Sequence, residues 1–249
     1  MAEKHFYEQK EFTELYLLPY FKKHLPNFAE FKILEIGCAE AGFLDVLYDL
    51  NIEATGLELA PGRVKIAKEK NLNLNIFVGD ITDQNIVNKI GDTFDFIIMR
   101  DVIEHIPDRI TTFSNIKKLL KKNGYLYVTF PPRFSGFAGH QQNGSSILRF
   151  VPYLHLLPGW LIRFLGSMFK ERPALIENVI LNYKVGLTIR AFEKYCSKYN
   201  FQPIIKDMFL FRPIYQLRYN LSPFKMANIP LIREFSVFGC ECLLQNSEQ

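Results

Sequence analysis

An α/β fold, built on a largely parallel sheet with helices on both faces, is predicted by three features of this sequence. Short apolar runs alternate with helix-length segments from residue 30 to residue 132. Gly, Pro and Asn-Gly punctuate the junctions between them. Length (249 residues) and composition (48% hydrophobic, 22% charged) suit one folded globular domain with an elaboration.

The elements read in order as follows. Phe6, Phe12, Leu15, Tyr16, Leu18 and Tyr20 recur at helical spacing, so residues 6–24 form an amphipathic helix that ends near Pro26. Lys32 to Gly37 is a buried strand, and a helix runs from about Gly42 to Leu50. Glu53 to Glu58 is the second strand, and Pro61 opens the next helix at a favoured first-turn position. Leu74–Val78 and Thr93–Met99 are the third and fourth strands. Ser114–Lys122 is a helix closed by Asn123-Gly124, and Tyr125–Phe130 is the fifth strand. Right-handed crossovers place ligands beyond the carboxyl ends of such strands. After Pro131-Pro132 the alternation stops. Residues 133–146 read as a polar loop, and 147–169 as an apolar stretch broken by Pro152 and Pro158. Thr188 caps a helix to Tyr199, and Phe201–Phe211 and Phe235–Leu244 are two more strands.

Charge is unevenly placed. Residues 1–131 hold 16 Lys/Arg against 19 Asp/Glu, and residues 132–233 hold 14 against 4, a net of +10. That second stretch also carries 17 of the 36 aromatic residues, a surface suited to anionic partners. The basic residues are dispersed and no RNA-binding module is appended, which disfavours nucleic acid. The N-terminus lacks the apolar core of a signal peptide, and no run of 18 uncharged apolar residues exists. The four cysteines show neither a disulfide framework nor C-x-x-C spacing, so a reduced, cytoplasmic setting is expected.

The chemistry gathers at predicted strand ends. Gly37 ends the first strand and permits a tight turn and close approach. The helix start near Gly42 offers N–H groups to a carboxylate. Glu58, 21 residues after Gly37, can accept hydrogen bonds from ribose hydroxyls, and Asp80 from an adenine amino group. Taken alone, Gly37-Cys38-Ala39-Glu40-Ala41-Gly42 also fits a nicotinamide-dinucleotide loop, the NAD-dependent oxidoreductase alternative.

The run Ile33-Leu34-Glu35-Ile36-Gly37-Cys38, then Glu58, Gly79-Asp80-Ile81, Phe94-Asp95 and Asp101-Val102-Ile103-Glu104-His105-Ile106 resembles the class I S-adenosylmethionine-dependent methyltransferases. It is most similar to the quinone-biosynthesis O-methyltransferase group, over residues 30–132. The resemblance implies a Rossmann-like seven-stranded sheet of order 3-2-1-4-5-7-6, its last strand antiparallel, with a lid insertion after strand five. It divides the single domain 1–249 into a cofactor-binding core (26–132), an acceptor-side insertion (133–187) and a C-terminal helix with the last strands (188–249). It implies S-adenosylmethionine as cofactor, with Glu35 and Gly37 at its methionine part and Arg100 approaching it. Glu58 then holds the ribose, Asp80 and Ile81 border the adenine, and Cys38, Ala39 and Leu59 also belong to the cofactor-binding set. Two of the family's three alternating loop glycines are Ala39 and Ala41 here, a change the loop accommodates if both keep ordinary negative φ.

His105 and His140 are the candidate catalytic bases for a hydroxyl acceptor, although each could equally be a packing or loop histidine. Asp101, Glu104 and His105 form D-x-x-E-H, and with His140 they also suit a divalent metal, as the resemblance to quinone and small-RNA 2′-O-methyltransferases allows. The expected acceptor is a small molecule or glycan, anionic or lipid-linked. Residues 147–169, with Trp160 and only cationic charges, read either as an apolar lid or as a peripheral membrane contact.

Overall fold

The computed structural model describes residues 2–247; Met1, Glu248 and Gln249, the ends of the predicted domain, lie outside them. One sheet holds β1 (Ile33–Ile36), β2 (Ala54–Glu58), β3 (Asn75–Val78), β4 (Phe94–Arg100), β5 (Leu120–Phe130), β6 (Phe201–Phe211), β7 (Phe224–Lys225) and β8 (Gly239–Asn246). Their order is β3-β2-β1-β4-β5-β8-β6-β7. β1 to β5 pair in parallel, and β8 is antiparallel to both β5 and β6. The predicted seven-strand order is therefore present, extended by the two-residue edge strand β7, too short for periodicity to reveal.

The sheet separates two apolar layers. Along β4, Ile97 and Met99 enter one cluster with Phe113 and Phe192, while Phe96 and Ile98 enter the other with Phe21, Phe28 and Phe43. This two-residue alternation is what a strand covered on both faces requires.

The N-terminal helix is longer than predicted. It comprises α1 (Ala2–Phe12), a π-helical turn over Thr13–Leu17 and α2 (Leu18–His24). Thr13 is buried and turns its hydroxyl back onto the Gln9 carbonyl (2.6 Å), a local bond that perturbs the helical ladder where the turn begins. α3 (Gly42–Asp49) and α4 (Pro61–Lys70) follow as expected. α5 (Gln84–Ile90) was not predicted; Asp83 caps it by accepting the Asn85 N–H (2.8 Å). α6 (Arg109–Leu119) is shifted toward the N-terminus relative to the predicted 114–122, because Asp108 caps it and residues 120–122 join β5 instead. Thr188 caps α9 (Ile189–Lys198) as expected, accepting the Ala191 N–H (3.1 Å).

The insertion after β5 holds α7 (Gly159–Met168) and α8 (Pro173–Val185), which share a small core of Leu148, Leu154, Ile162, Ile176 and Val179. The Glu171 carboxylate ties its polar loop in place by accepting the Ser145 and Ser146 N–H groups (2.9 and 2.7 Å). Two short helices complete the chain. α10 (Ile214–Tyr219) follows β6, and α11 (Ile232–Ser236) takes the start of the predicted last strand, which begins at Gly239 instead. Among the described residues no helix is long and apolar enough to cross a membrane.

Candidate active site

The carboxyl ends of β1, β2, β4 and β5 open into a cleft of about 1760 Å³. On its first side lies the turn after β1. Gly37 (φ +76°) has no alternative there, since a Cβ would sit 2.3 Å from a Val102 methyl. Ala39 and Ala41 also adopt positive φ (+54° and +63°), so the condition of ordinary negative φ is not met. Each left-handed alanine costs roughly 1–2 kcal/mol, so the neighbours must hold the loop. They do. Glu58 accepts the Ala39 and Ala60 N–H groups through separate carboxylate oxygens (2.8 Å each). Gln9 of α1 accepts the Gly42 N–H (3.0 Å) and donates to the Cys38 carbonyl (3.3 Å). The expected free N–H at the start of α3 is thus already taken by Gln9, and α1 packs so close that a Cβ on Gly42 would lie 2.3 Å from the Phe6 carbonyl.

Gly37, Ala39, Glu58, Leu59, Asp80, Ile81 and Arg100 all line the cleft. Two predicted cofactor residues do not. The Cys38 thiol points into the core beside Gly56, leaving only its backbone at the loop. Glu35 is buried beneath the cleft floor, where one carboxylate oxygen accepts from Arg100 Nε and Nη2 (3.1 and 2.5 Å). Its other oxygen is buried without a hydrogen-bond partner. Burial pushes the Glu35 carboxyl up, against the opposing pull of Arg100. Arg100 is steadied by the Phe43 ring, 5.2 Å from its guanidinium carbon. Asp80 accepts from the Thr82 N–H and hydroxyl (2.8 Å each), which fixes it at the end of β3. An orphaned buried oxygen, a glycine cradle and two fixed carboxylates at the ends of β2 and β3 fit the zwitterionic, ribose and adenine parts of S-adenosylmethionine.

The second side gathers Asp101, Glu104, His105 and His140. The ligand atoms of Glu104, His105 and His140 lie within 4.8 Å of one another, and the imidazole centroids are 5.0 Å apart. Asp101 does not join them as the D-x-x-E-H reading expected. Its two oxygens accept from Arg212 Nη2 (2.6 and 2.8 Å). Glu104 is buried with neither oxygen hydrogen-bonded, and burial, reinforced by Asp101, pushes its carboxyl well above the usual range. Burial lowers the His105 imidazole, and burial with repulsion from His105 brings His140 down to about 4. His140 also sits at φ +57°, with its Nε2 buried and unpartnered.

Sequence reasoning missed three contributors. Gln9, Arg212 and Glu241 lie far along the chain from the motifs they serve. Glu241 alone had a local signal, as a single acid in the otherwise apolar run of β8. It lines the cleft and accepts the Tyr16 hydroxyl on both oxygens (2.9 and 3.1 Å). Burial, with Asp207 directly opposite on β6 and against the hydrogen bond from Tyr16, pushes its carboxyl up to about 7.

A family model described as a methyltransferase domain matches residues 2–172. The ubiquinone biosynthesis O-methyltransferase of Glaesserella parasuis is 30% identical over 104 residues, 39% of this chain and 44% of that protein. The corresponding Histophilus somni protein is 25% identical over 142 residues, 54% of this chain and 60% of that protein. The chain thus spans about half the length of these curated relatives. Among solved structures, the plantazolicin methyltransferase BpumL in complex with SAH superposes with a TM-score of 0.58 at 12% identity, covering 99% of this chain and 85% of that one.

Two measurements check this geometry. Ala39→Gly relieves a left-handed alanine whose backbone is otherwise held, and is expected to raise stability by about 1 kcal/mol in urea unfolding. The Glu241 carboxyl titrates near 4.5 when unfolded and near 7 when folded. Its contribution to stability is therefore full at low pH and is lost as pH rises through that window, by up to ~1.4 kcal/mol per unit. Glu241→Gln is expected to flatten that decline and to leave the variant more stable than the parent at alkaline pH. A parallel decline in both proteins would remove Glu241 as its source.

Proposed function

We propose that this chain, which belongs to the methyltransferase-domain family, takes a methyl group from S-adenosylmethionine and delivers it to an oxygen of a small hydroxylated acceptor. The observation that carries the reading is the pair of neutral imidazoles, His105 and His140, on the acceptor side of the cleft. A hydroxyl must shed its proton as its oxygen is alkylated, and a neutral imidazole can accept it. Two imidazolium rings at this separation would repel, so the pair takes up one proton as a unit. The O-methyltransferase names of the curated relatives support the same atom.

The remaining roles follow from position. Gly37, Ala39, Arg100 and the Glu35 beneath it hold the methionine part of the cofactor; Glu58 and Leu59 hold the ribose; Asp80 and Ile81 border the adenine. Glu58 spends one lone pair of each oxygen on the loop and keeps the others for hydroxyls. The bound cofactor supplies an electrophilic methyl on a sulfonium. The protein aligns the acceptor with it, and alignment alone is worth roughly 7–11 kcal/mol.

The insertion, residues 133–187, covers the acceptor side as a lid. It exposes Phe150, Trp160, Phe164 and Met168, and the cations Arg149, at the cleft rim, and Lys170 are exposed with them. Apolar side chains among cations suit an anionic membrane surface, which supports a lipid-linked acceptor.

Glu58→Ala is expected to weaken S-adenosylmethionine binding about tenfold or more in calorimetry, since charge-assisted hydrogen bonds and the loop anchor are both lost. Unchanged affinity would remove the ribose assignment. In transfer of a labelled methyl group to a panel of phenols and glycans, His140→Ala is expected to slow turnover by about 10²–10⁴ with little change in cofactor affinity. Normal turnover would exclude His140 from the proton-accepting pair. Flotation with anionic vesicles should retain the parent protein and lose the Trp160→Ala/Phe164→Ala variant; no binding by the parent leaves the lid role alone.

A further inference from the structure

A divalent cation at the end of β4 would need the carboxylates of the D-x-x-E-H run, and the structure gives the first of them to a guanidinium. We infer that Arg212 stands in the place of that cation, and that the acceptor side of this cleft works with a covalently built-in positive charge and no metal ion. The inference rests on the O-methyl transfer reading for its catalytic consequence, but not for its account of the cation.

Four observations converge on this. Arg212 Nη2 bonds both oxygens of Asp101, so the carboxylate's approach to Glu104, His105 and His140 is occupied. Thr129 donates to Asp101 Oδ1 from β5 (3.4 Å), fixing it further. The arginine stem crosses β8 at Gly239, where any Cβ would lie 2.6 Å from Arg212 Cγ. Asp101 itself holds a left-handed backbone (φ +55°), so its direction is set by the chain and not by side-chain preference. The pair is therefore built by three separate elements, β4, β5 and β8, around a residue that follows β6.

Charge completes the case. The residues left to a metal are Glu104, His105 and His140, a single carboxyl with two imidazoles. A divalent ion there would face the Arg212 charge, which acts on both Glu104 and His140, and beyond it Arg218, which is itself held by Glu8 of α1 (2.5 Å). Like charges repel strongly away from bulk water. Hard divalent ions such as Mg²⁺ and Mn²⁺ prefer several oxygen ligands, and the site offers one carboxyl.

Arg212 lines the cleft, with its side chain partly accessible, so it can reach an acceptor. A guanidinium beside a hydroxyl lowers the hydroxyl's pKa, the service a divalent ion would otherwise perform. The hydroxyl proton passes to the His105–His140 pair. The oxygen forms its bond to the methyl carbon as the carbon–sulfur bond breaks, and the positive charge of the sulfonium reappears on the imidazolium.

Mn²⁺ titration followed by electron paramagnetic resonance tests the inference without knowledge of the acceptor. SAH calorimetry on the same samples reports folding, and absence of SAH binding by the parent would overturn the methyl-transfer reading separately. The full chain is expected to leave Mn²⁺ free. Arg212→Met should gain Mn²⁺ binding about tenfold or more, because Asp101 is released toward Glu104, His105 and His140. Adding Asp101→Asn to that variant should abolish the gain. Mn²⁺ binding by the parent that disappears in His140→Ala would overturn the inference. So would an Arg212→Met protein that binds SAH normally yet gains no affinity for Mn²⁺. If Arg212→Met does not fold, Arg212→Gln carries the same comparison, and the measurement on the parent stands alone.

Discussion

A carboxylate removed from water must find compensating charge or hydrogen bonds, or give up its own charge. Acids around the cleft meet this condition in different ways. Glu35 takes a guanidinium, Glu58 takes two backbone N–H groups, and the half-buried Asp101 takes a second guanidinium. Glu104 and Glu241 are pushed toward the neutral acid. These solutions fix the backbone as well as the charges. Without Glu58, nothing else described would hold the Ala39 N–H, and without Arg212, Asp101 would be an unpaired charge in a left-handed turn.

The division of labour across the sheet follows from the same constraint. The β1–β2 side presents fixed acids and backbone, suited to a cofactor that is cationic at sulfur and rich in hydroxyls. The β4–β5 side presents neutral imidazoles and a paired arginine, suited to receiving one proton while keeping charge balanced. The strand order brings the two sides together because β1 and β4 are neighbours at the centre of the sheet.

The central sheet and the residues at the ends of its strands were readable in the sequence because both are local. Each strand of the 30–132 region is an apolar run, and Gly37, Glu58, Asp80 and Arg100 each sit where such a run ends. The inward turn of the Cys38 thiol was not legible because a loop position does not reveal which way its side chain turns. The positive φ of Ala39 and Ala41 was not legible because alanine's preference is small beside the bonds from Glu58 and Gln9. Helices α5 and α6 carried capping aspartates, Asp83 and Asp108, that weak hydrophobic periodicity left unread. Arg212 and Gln9 act on residues about 111 and 33 positions away, a separation across which no local pattern speaks. Asp101 looked like a ligand from its spacing, and only the arrival of Arg212 at the same strand end changed that.

The place of β8 has a consequence for how the chain is assembled. It follows every other strand in sequence, yet it lies inside the sheet between β5 and β6. Among the described strands, β6 touches only β7 and β8, so it has no route into the sheet until β8 is made. The half of the cleft that carries Arg212 and Glu241 must therefore wait for synthesis to pass residue 246, whereas β1 to β5 can already be paired. During that interval the β5 edge is open, and its register with Gly239–Asn246 is the late, long-range closure on which the Arg212 side of the cleft depends. A ribosome paused before this segment would display the formed turn after β1 beside an unfinished opposite wall.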